Sequence, residues 1–112
     1  MPTSRISMDP VKISVTIVTK NEAKRIRDCI ESVRFAKDIL VIDDGSTDDT
    51  VSIARSLGAR VLLREGGKVN EGKFRNWTLE KVECDWVLKL DADERVTPEL
   101  AEEIRQLFGT GP

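Results

Sequence analysis

The 112-residue chain has room for one domain, which can bury a core without disulfide or metal staples. Its apolar share of 39% and charged share of 34% suit a globular chain, and a net charge of −2 gives no sign of a nucleic-acid or acidic-lipid partner, so none is expected. Histidine and tyrosine are absent, so no imidazole can serve as general base, metal ligand or triad member, and carboxylates, lysines and two thiols remain for any chemistry.

Residues 1–10 contain Arg, Ser and two Pro but no apolar run, so they are no signal peptide. They are expected to be an added or disordered leader, with the domain occupying 11–112. Residues 13–19 alternate and are rich in Val, Ile and Thr, which predicts a strand. Asn21 is placed to cap a following helix in which Ile26, Ile30 and Val33 recur at helical spacing. Residues 38–43 hold the run Ile39-Leu40-Val41-Ile42, a strand buried on both faces. After the turn Gly45-Ser46-Thr47, Asp48 and Asp49 are expected in the first turn of a helix with Val51, Ala54 and Leu57 inward. Gly58 ends that helix.

Residues 60–64 predict a short third strand, broken by Glu65-Gly66-Gly67. A helix from about Glu71 would turn Phe74, Trp77 and Val82 inward, and residues 86–90 predict a fourth strand. Beyond Asp91-Ala92-Asp93, Thr97 is a candidate N-cap and Pro98 a favoured first helical residue. Leu100, Ile104, Leu107 and Phe108 are expected to form the core face of this last helix, closed by Gly109. No apolar run approaches the ~20 residues needed to span a bilayer. Cys29 and Cys84 form no CxxC pair and no zinc set, so they predict buried thiols in a reducing, cytoplasmic setting.

Strands alternating with helices predict an α/β fold: a Rossmann-like three-layer sandwich with a mostly parallel four-stranded sheet and helices on both faces. The first strand should lie centrally, with the second and third on one side and the fourth on the other. Ligands of such sheets bind beyond the carboxyl ends of the strands. That rule selects the turns at 19–22, 43–46 and 91–93, all polar and the latter two acidic.

Residues two apart on an extended segment point the same way, so Asp91 and Asp93 can emerge together at the ligand face. Two carboxylates suit a divalent ion that completes its shell with waters and substrate phosphates. Equally, they are a pair of solvated loop acids. Asp43 and Asp44 offer carboxylates to a base or ribose, or serve the cap of the next helix; Asp44 is the better ligand candidate. No GxGxxG follows the first strand, which argues against a dinucleotide cofactor. Lys73 and Arg75, beside Asn76, have the reach for phosphate or base, or are solvated helix charges.

Residues 15–22, then 41–48, then 90–94 resemble family 2 glycosyltransferases of the GT-A fold in order and separation, across nearly the whole chain after the leader. The stretch 70–77 is similar to the subgroup related to lipopolysaccharide-core glucosyltransferases, which implies a role in cell-envelope polysaccharide synthesis. The resemblance implies a truncated GT-A fold that binds a nucleoside diphosphate sugar, with UDP as the expected carrier. Thr19 and Glu22 would border the nucleoside, Asp44 would bind the base, and Arg75 would lie near base or phosphates. Asp91 would face ribose and sugar, and Asp93, with Asp91, would hold Mg²⁺ or Mn²⁺ as a DXD motif. The implied reaction moves the sugar to an acceptor hydroxyl with inversion.

Family members are typically about twice as long, and no residue after Asp93 is a convincing catalytic base, because Glu99, Glu102 and Glu103 share a helix whose inner face is apolar. Donor binding without efficient transfer is therefore expected of this chain. The fourth strand would be left at an apolar sheet edge, which predicts a homo-oligomer, although Lys89 opposes such pairing. The alternatives are a nonenzymatic nucleotide-binding module or an inert folding fragment. A phosphorylation-controlled receiver domain fits poorly, since its first strand would end in acids rather than Thr19-Lys20-Asn21.

Overall fold

A computed structural model describes residues 10–64 and 71–108. Four strands and four helices alternate: β1 (Val11–Thr19), α1 (Ile26–Ser32), β2 (Ala36–Asp43), α2 (Thr50–Ser56), β3 (Arg60–Leu63), α3 (Glu71–Lys81), β4 (Val87–Asp91) and α4 (Pro98–Phe108). The strands form one sheet in the order β3-β2-β1-β4, and every neighbouring pair is parallel. The expected α/β architecture and strand order are those observed. Among the described residues no helix is long and apolar enough to cross a membrane. Most of the leader, and Gly109, lie outside the described residues.

The register separates the two faces of the sheet. Ser14, Thr16 and Val18 of β1 stand level with Asp38, Leu40 and Ile42 of β2 and with Val87, Lys89 and Asp91 of β4. Side chains alternate along a strand, so these residues share one face, and α3 packs over it. Val11, Ile13, Val15 and Ile17 face the other way into the main core. There they meet Ile26, Cys29, Ile30 and Val33, then Ala54 from α2 and Ile104 from α4. Leu40, Val41 and Ile42 are all fully buried, as a branched run in an inner parallel strand should be.

Several local expectations are corrected. β1 and β2 begin earlier than their alternation suggests, at Val11 and Ala36, because these two residues pair and bury each other at the sheet's lower end. Asn21 does not cap α1; the helix begins at Ile26 without a side-chain cap. Asp48 and Asp49 precede α2 rather than forming its first turn, and Ile53 with Leu57 packs on the core beside Ala54. Trp86 lies before β4 and is 60% exposed, its ring 5.1 Å from that of Phe108. On α4 the Thr97 hydroxyl does accept the Leu100 N–H at 3.1 Å. The inward stripe is Ala101, Ile104 and Phe108, however, and Leu100 and Leu107 are 44% and 76% exposed. Positions 101, 104 and 108 fall on one side of a 3.6-residue helix, and Leu107 falls off it.

Candidate functional site

The carboxyl ends of β1, β2 and β4 finish nearly level: Thr19 stands beside Asp43, and Val18 beside Asp91. Beyond them opens a cleft of about 320 Å³ lined by Thr19, Lys20, Glu22, Asp44, Asp91 and Asp93, with Val18 and Ala92 at its floor. Asp44 and Asp93, from strands separated in the sheet by β1, thus border one cavity.

Two loops are laced to make that cleft. Asn21 takes a left-handed backbone (φ 54°), which asparagine tolerates better than most residues. Its side-chain oxygen accepts N–H bonds from Thr47 at 2.7 Å and Asp48 at 3.3 Å, while its own N–H donates to the Ser46 hydroxyl at 2.8 Å. Glu22 N–H donates to the Thr50 hydroxyl at 2.9 Å, and Ala23 N–H to Asp48 at 3.2 Å. The turn after β1 is therefore fixed against the turn after β2.

The adjacent aspartates divide the work. Asp43 is buried and turns inward, accepting the Gly45 N–H at 3.1 Å, the Ser46 N–H at 2.8 Å and the Ser46 hydroxyl. Gly45 follows at φ 94°, a conformation that favours glycine. Asp44 instead faces the cleft, held by two bonds from Arg64: Nε at 3.1 Å and Nη2 at 2.9 Å. These bonds hold its carboxyl below the usual carboxylate range, partial burial notwithstanding, with Arg64 and Lys20 charges adding to the effect. Across the cleft, Glu94 accepts the Asp91 N–H at 2.7 Å, and Ala92 N–H donates to Val18 O at 3.2 Å. Burial pushes the Cys29 thiol up to about 11, helped by the charges of Glu94, Asp93 and Asp91. The Thr19 hydroxyl oxygen is buried at the cleft without a hydrogen-bond partner.

Arg75 is not brought into this cleft. It lines a recess of about 210 Å³ under α3 with Thr78, Lys89 and apolar residues. Between the two lies a third recess of about 370 Å³, with Arg64, Phe74 and Lys89 on its walls, which shares Val18 and Asp91 with the acidic cleft. Sequence reasoning missed Arg64. The one signal for it was position, the first residue beyond a strand that lies parallel to the strand ending at Asp43-Asp44.

Among the described residues no three carboxylates or thiols converge as a ready-made metal cage. Asp91 and Asp93 at one cavity still fit an ion that takes one or two protein carboxylates and completes its shell with phosphate and water.

The sequence model of glycosyl transferase family 2 matches residues 14–112. The chain belongs to this family. An uncharacterized glycosyltransferase of Rickettsia bellii is 44% identical over 101 residues, covering 88% of this chain and 33% of the relative. The SPbeta prophage-derived glycosyltransferase SunS of Bacillus subtilis is 33% identical over 93 residues, 81% of this chain and 22% of that protein. Among solved structures, TarS of S. aureus superposes with a TM-score of 0.70 at 30% identity, over 85% of this chain and 31% of that one. Glucosyl-3-phosphoglycerate synthase from Mycobacterium tuberculosis, in complex with Mn²⁺, UDP-glucose and phosphoglyceric acid, gives 0.62 at 27% identity, over 76% and 35%. The chain spans about a third of the length of the Rickettsia relatives it matches. It is a family 2 glycosyltransferase domain with a GT-A-like fold.

Proposed function

We propose that the cleft binds a nucleoside diphosphate sugar, with UDP as carrier, for transfer of the sugar to an acceptor hydroxyl with inversion. The observation that carries this reading is the meeting of Thr19, Glu22, Asp44, Asp91 and Asp93 around one cavity at the carboxyl ends of three strands. The mycobacterial neighbour crystallised with Mn²⁺ and UDP-glucose supports it. Asp44, held anionic by Arg64, accepts an N–H of the base, and the unpartnered Thr19 hydroxyl and Glu22 border the nucleoside. Asp91, with its backbone pinned by Glu94, faces ribose and sugar. Asp91 and Asp93 would hold Mg²⁺ or Mn²⁺, which when bound neutralises charge on the leaving diphosphate. Arg75, at the far end of the connected recesses, remains a candidate for outlying contacts of the donor.

The 112-residue chain is proposed to bind donor without efficient transfer. A general base is worth about 10²–10⁴ in rate, and the candidate acids Glu99, Glu102 and Glu103 sit exposed on α4 rather than at the cleft. The reading includes a domain over 11–112 and self-association through β4. It includes cytoplasmic action, supported by two free thiols, and a cell-envelope role of the lipopolysaccharide-core type, supported by the stretch 70–77.

Calorimetry with UDP and Mn²⁺ tests the donor site. Wild type should bind, and Asp93→Ala should weaken binding at least about tenfold, or ~1.4 kcal/mol. Equal affinity in the variant would remove Asp93 from the site, and no binding by wild type would favour an inert fragment. Turnover of UDP-glucose onto an acceptor at ordinary enzyme rates would overturn the binding-only reading.

A further inference from the structure

Asp91 and Asp93 stand on the segment 91–96 that leads from β4 towards α4, and helix α1 holds this segment at two points. At one end the Cys29 thiol, fully buried, donates to Asp91 O with the sulfur 3.8 Å away. At the other the Val96 N–H donates to the Ser32 hydroxyl at 3.0 Å, and that hydroxyl donates in turn to Cys29 O at 2.7 Å. Residues 29 and 32 are three apart and so share one face of α1. Between the two anchors the Glu94 N–H donates to Asp91 O at 2.9 Å, which closes the turn on itself. Ala92 and Val96 point into the core, and Asp91 and Asp93 are left exposed to the cleft. The Arg95–Asp28 pair also joins the segment to α1, but at 3.7 Å and with both side chains more than half exposed it holds little.

A serine hydroxyl that bonds the carbonyl three residues back is an ordinary local contact. Accepting an N–H from 64 positions further along the chain is not local, and it spends the Ser32 oxygen on the acidic segment. A divalent ion that takes only two protein carboxylates, and fills its shell with water and phosphate, has no third protein ligand to correct a misplaced one. Its affinity then depends on how closely the two acids are held before it arrives. Resting on the donor-site reading above, we propose that Ser32, with Cys29, is a positioning residue: from α1 it fixes the segment 91–96 so that Asp91 and Asp93 meet the ion together.

The test is calorimetry of the 112-residue chain with UDP, in Mn²⁺ and in EDTA, for wild type, Ser32→Ala, Ser32→Thr, Cys29→Ala and Asp28→Ala. The quantity read is the ratio of UDP affinities with and without the ion, which loosening of the fold as a whole would not move. Mn²⁺ should strengthen binding by wild type. Ser32→Ala should cut the ratio about tenfold, as removal of a group that orients a metal ligand does, and leave the ion-free affinity unchanged. Ser32→Thr keeps the hydroxyl and should keep the ratio. Cys29→Ala should lower it by less, because a thiol is a weak donor. These two variants decide the matter should Ser32→Ala fail to fold. Asp28→Ala, which removes only an exposed charge, should leave the ratio as it is. A ratio untouched by Ser32→Ala, equal losses with and without Mn²⁺, or an equal drop in Asp28→Ala would overturn the role of Ser32 and leave the donor site standing. Wild-type binding that Mn²⁺ does not strengthen would remove the ion and this role with it, and a wild type that binds no UDP would remove the donor site as well.

Discussion

Asp38 has almost no exposed side-chain surface, yet it sits at the amino-terminal end of the sheet, away from the cleft. Arg60 bonds it twice, at 3.0 and 3.1 Å, the Ser14 hydroxyl donates at 2.7 Å, and the Glu83 N–H donates at 3.0 Å. Burial raises its carboxyl, but the bonds from Arg60, Ser14 and Glu83 together outweigh this and leave it below the ordinary value. A depressed carboxylate contributes stability that is present above the unfolded value near 4 and is lost as pH falls through the folded one. Asp38→Ala should cost about 1–3 kcal/mol for each buried donor it strands. In thermal melts, the gap between wild type and the variant should narrow as pH drops below about 4. A gap constant down to strongly acidic pH would mean the network is not ionic. The network was illegible in the sequence, because Ser14, Asp38, Arg60 and Glu83 meet only once three strands are in register. Asp44 shows the opposite case: its place at a strand end was readable, and only its pairing with Arg64 needed the fold.

At the scale of elements, the turns after β1 and β2 act as one unit. Asn21 was legible as a capping residue by type, but the structure uses it on the neighbouring loop, because its left-handed backbone aims the side chain at Thr47 and Asp48. Propensity identifies a residue that wants N–H partners, and tertiary contact decides which ones. Two substitutions separate its contributions. Asn21→Gly keeps the φ of 54° cheaply but removes the side-chain bonds. Asn21→Ala removes the bonds and adds left-handed strain of about 1 kcal/mol. Chemical denaturation should therefore rank wild type above Gly, and Gly above Ala. An alanine variant as stable as the glycine one would show that the loop relaxes out of the left-handed region. Both variants should also weaken UDP binding, because the turns that carry Glu22 and Asp44 lose part of the tie between them.

For the whole molecule, the strand order was legible because alternating elements and right-handed crossovers leave few topologies. The exposure of Leu100 and Leu107 was not, since which side of α4 is covered depends on what the sheet presents beneath it. The same uncovered region bears on assembly. Among the described residues β4 pairs only with β1, so its outer edge offers a row of unpaired backbone groups. Trp86 and Leu107, 60% and 76% exposed, stand at its lower end around Phe108, in a shallow pocket that also contains Lys12 and Lys37. Lys89 offers less protection than the sequence suggests: it is in register with Thr16 and lines the recesses on the α3 face, so its charge lies over the sheet rather than along the edge. Edge-to-edge pairing of two copies would satisfy the backbone of both β4 strands and bring the Trp86 patches out of water, at about 25 cal/mol per Å² of apolar surface covered. Sedimentation equilibrium should show reversible association that rises with concentration, and Trp86→Glu with Leu107→Glu should weaken it while leaving the melting temperature within about 2–4 °C, or ~0.5 kcal/mol for a domain of this size. A single monomeric species at every concentration would show that twist and side chains already protect the edge.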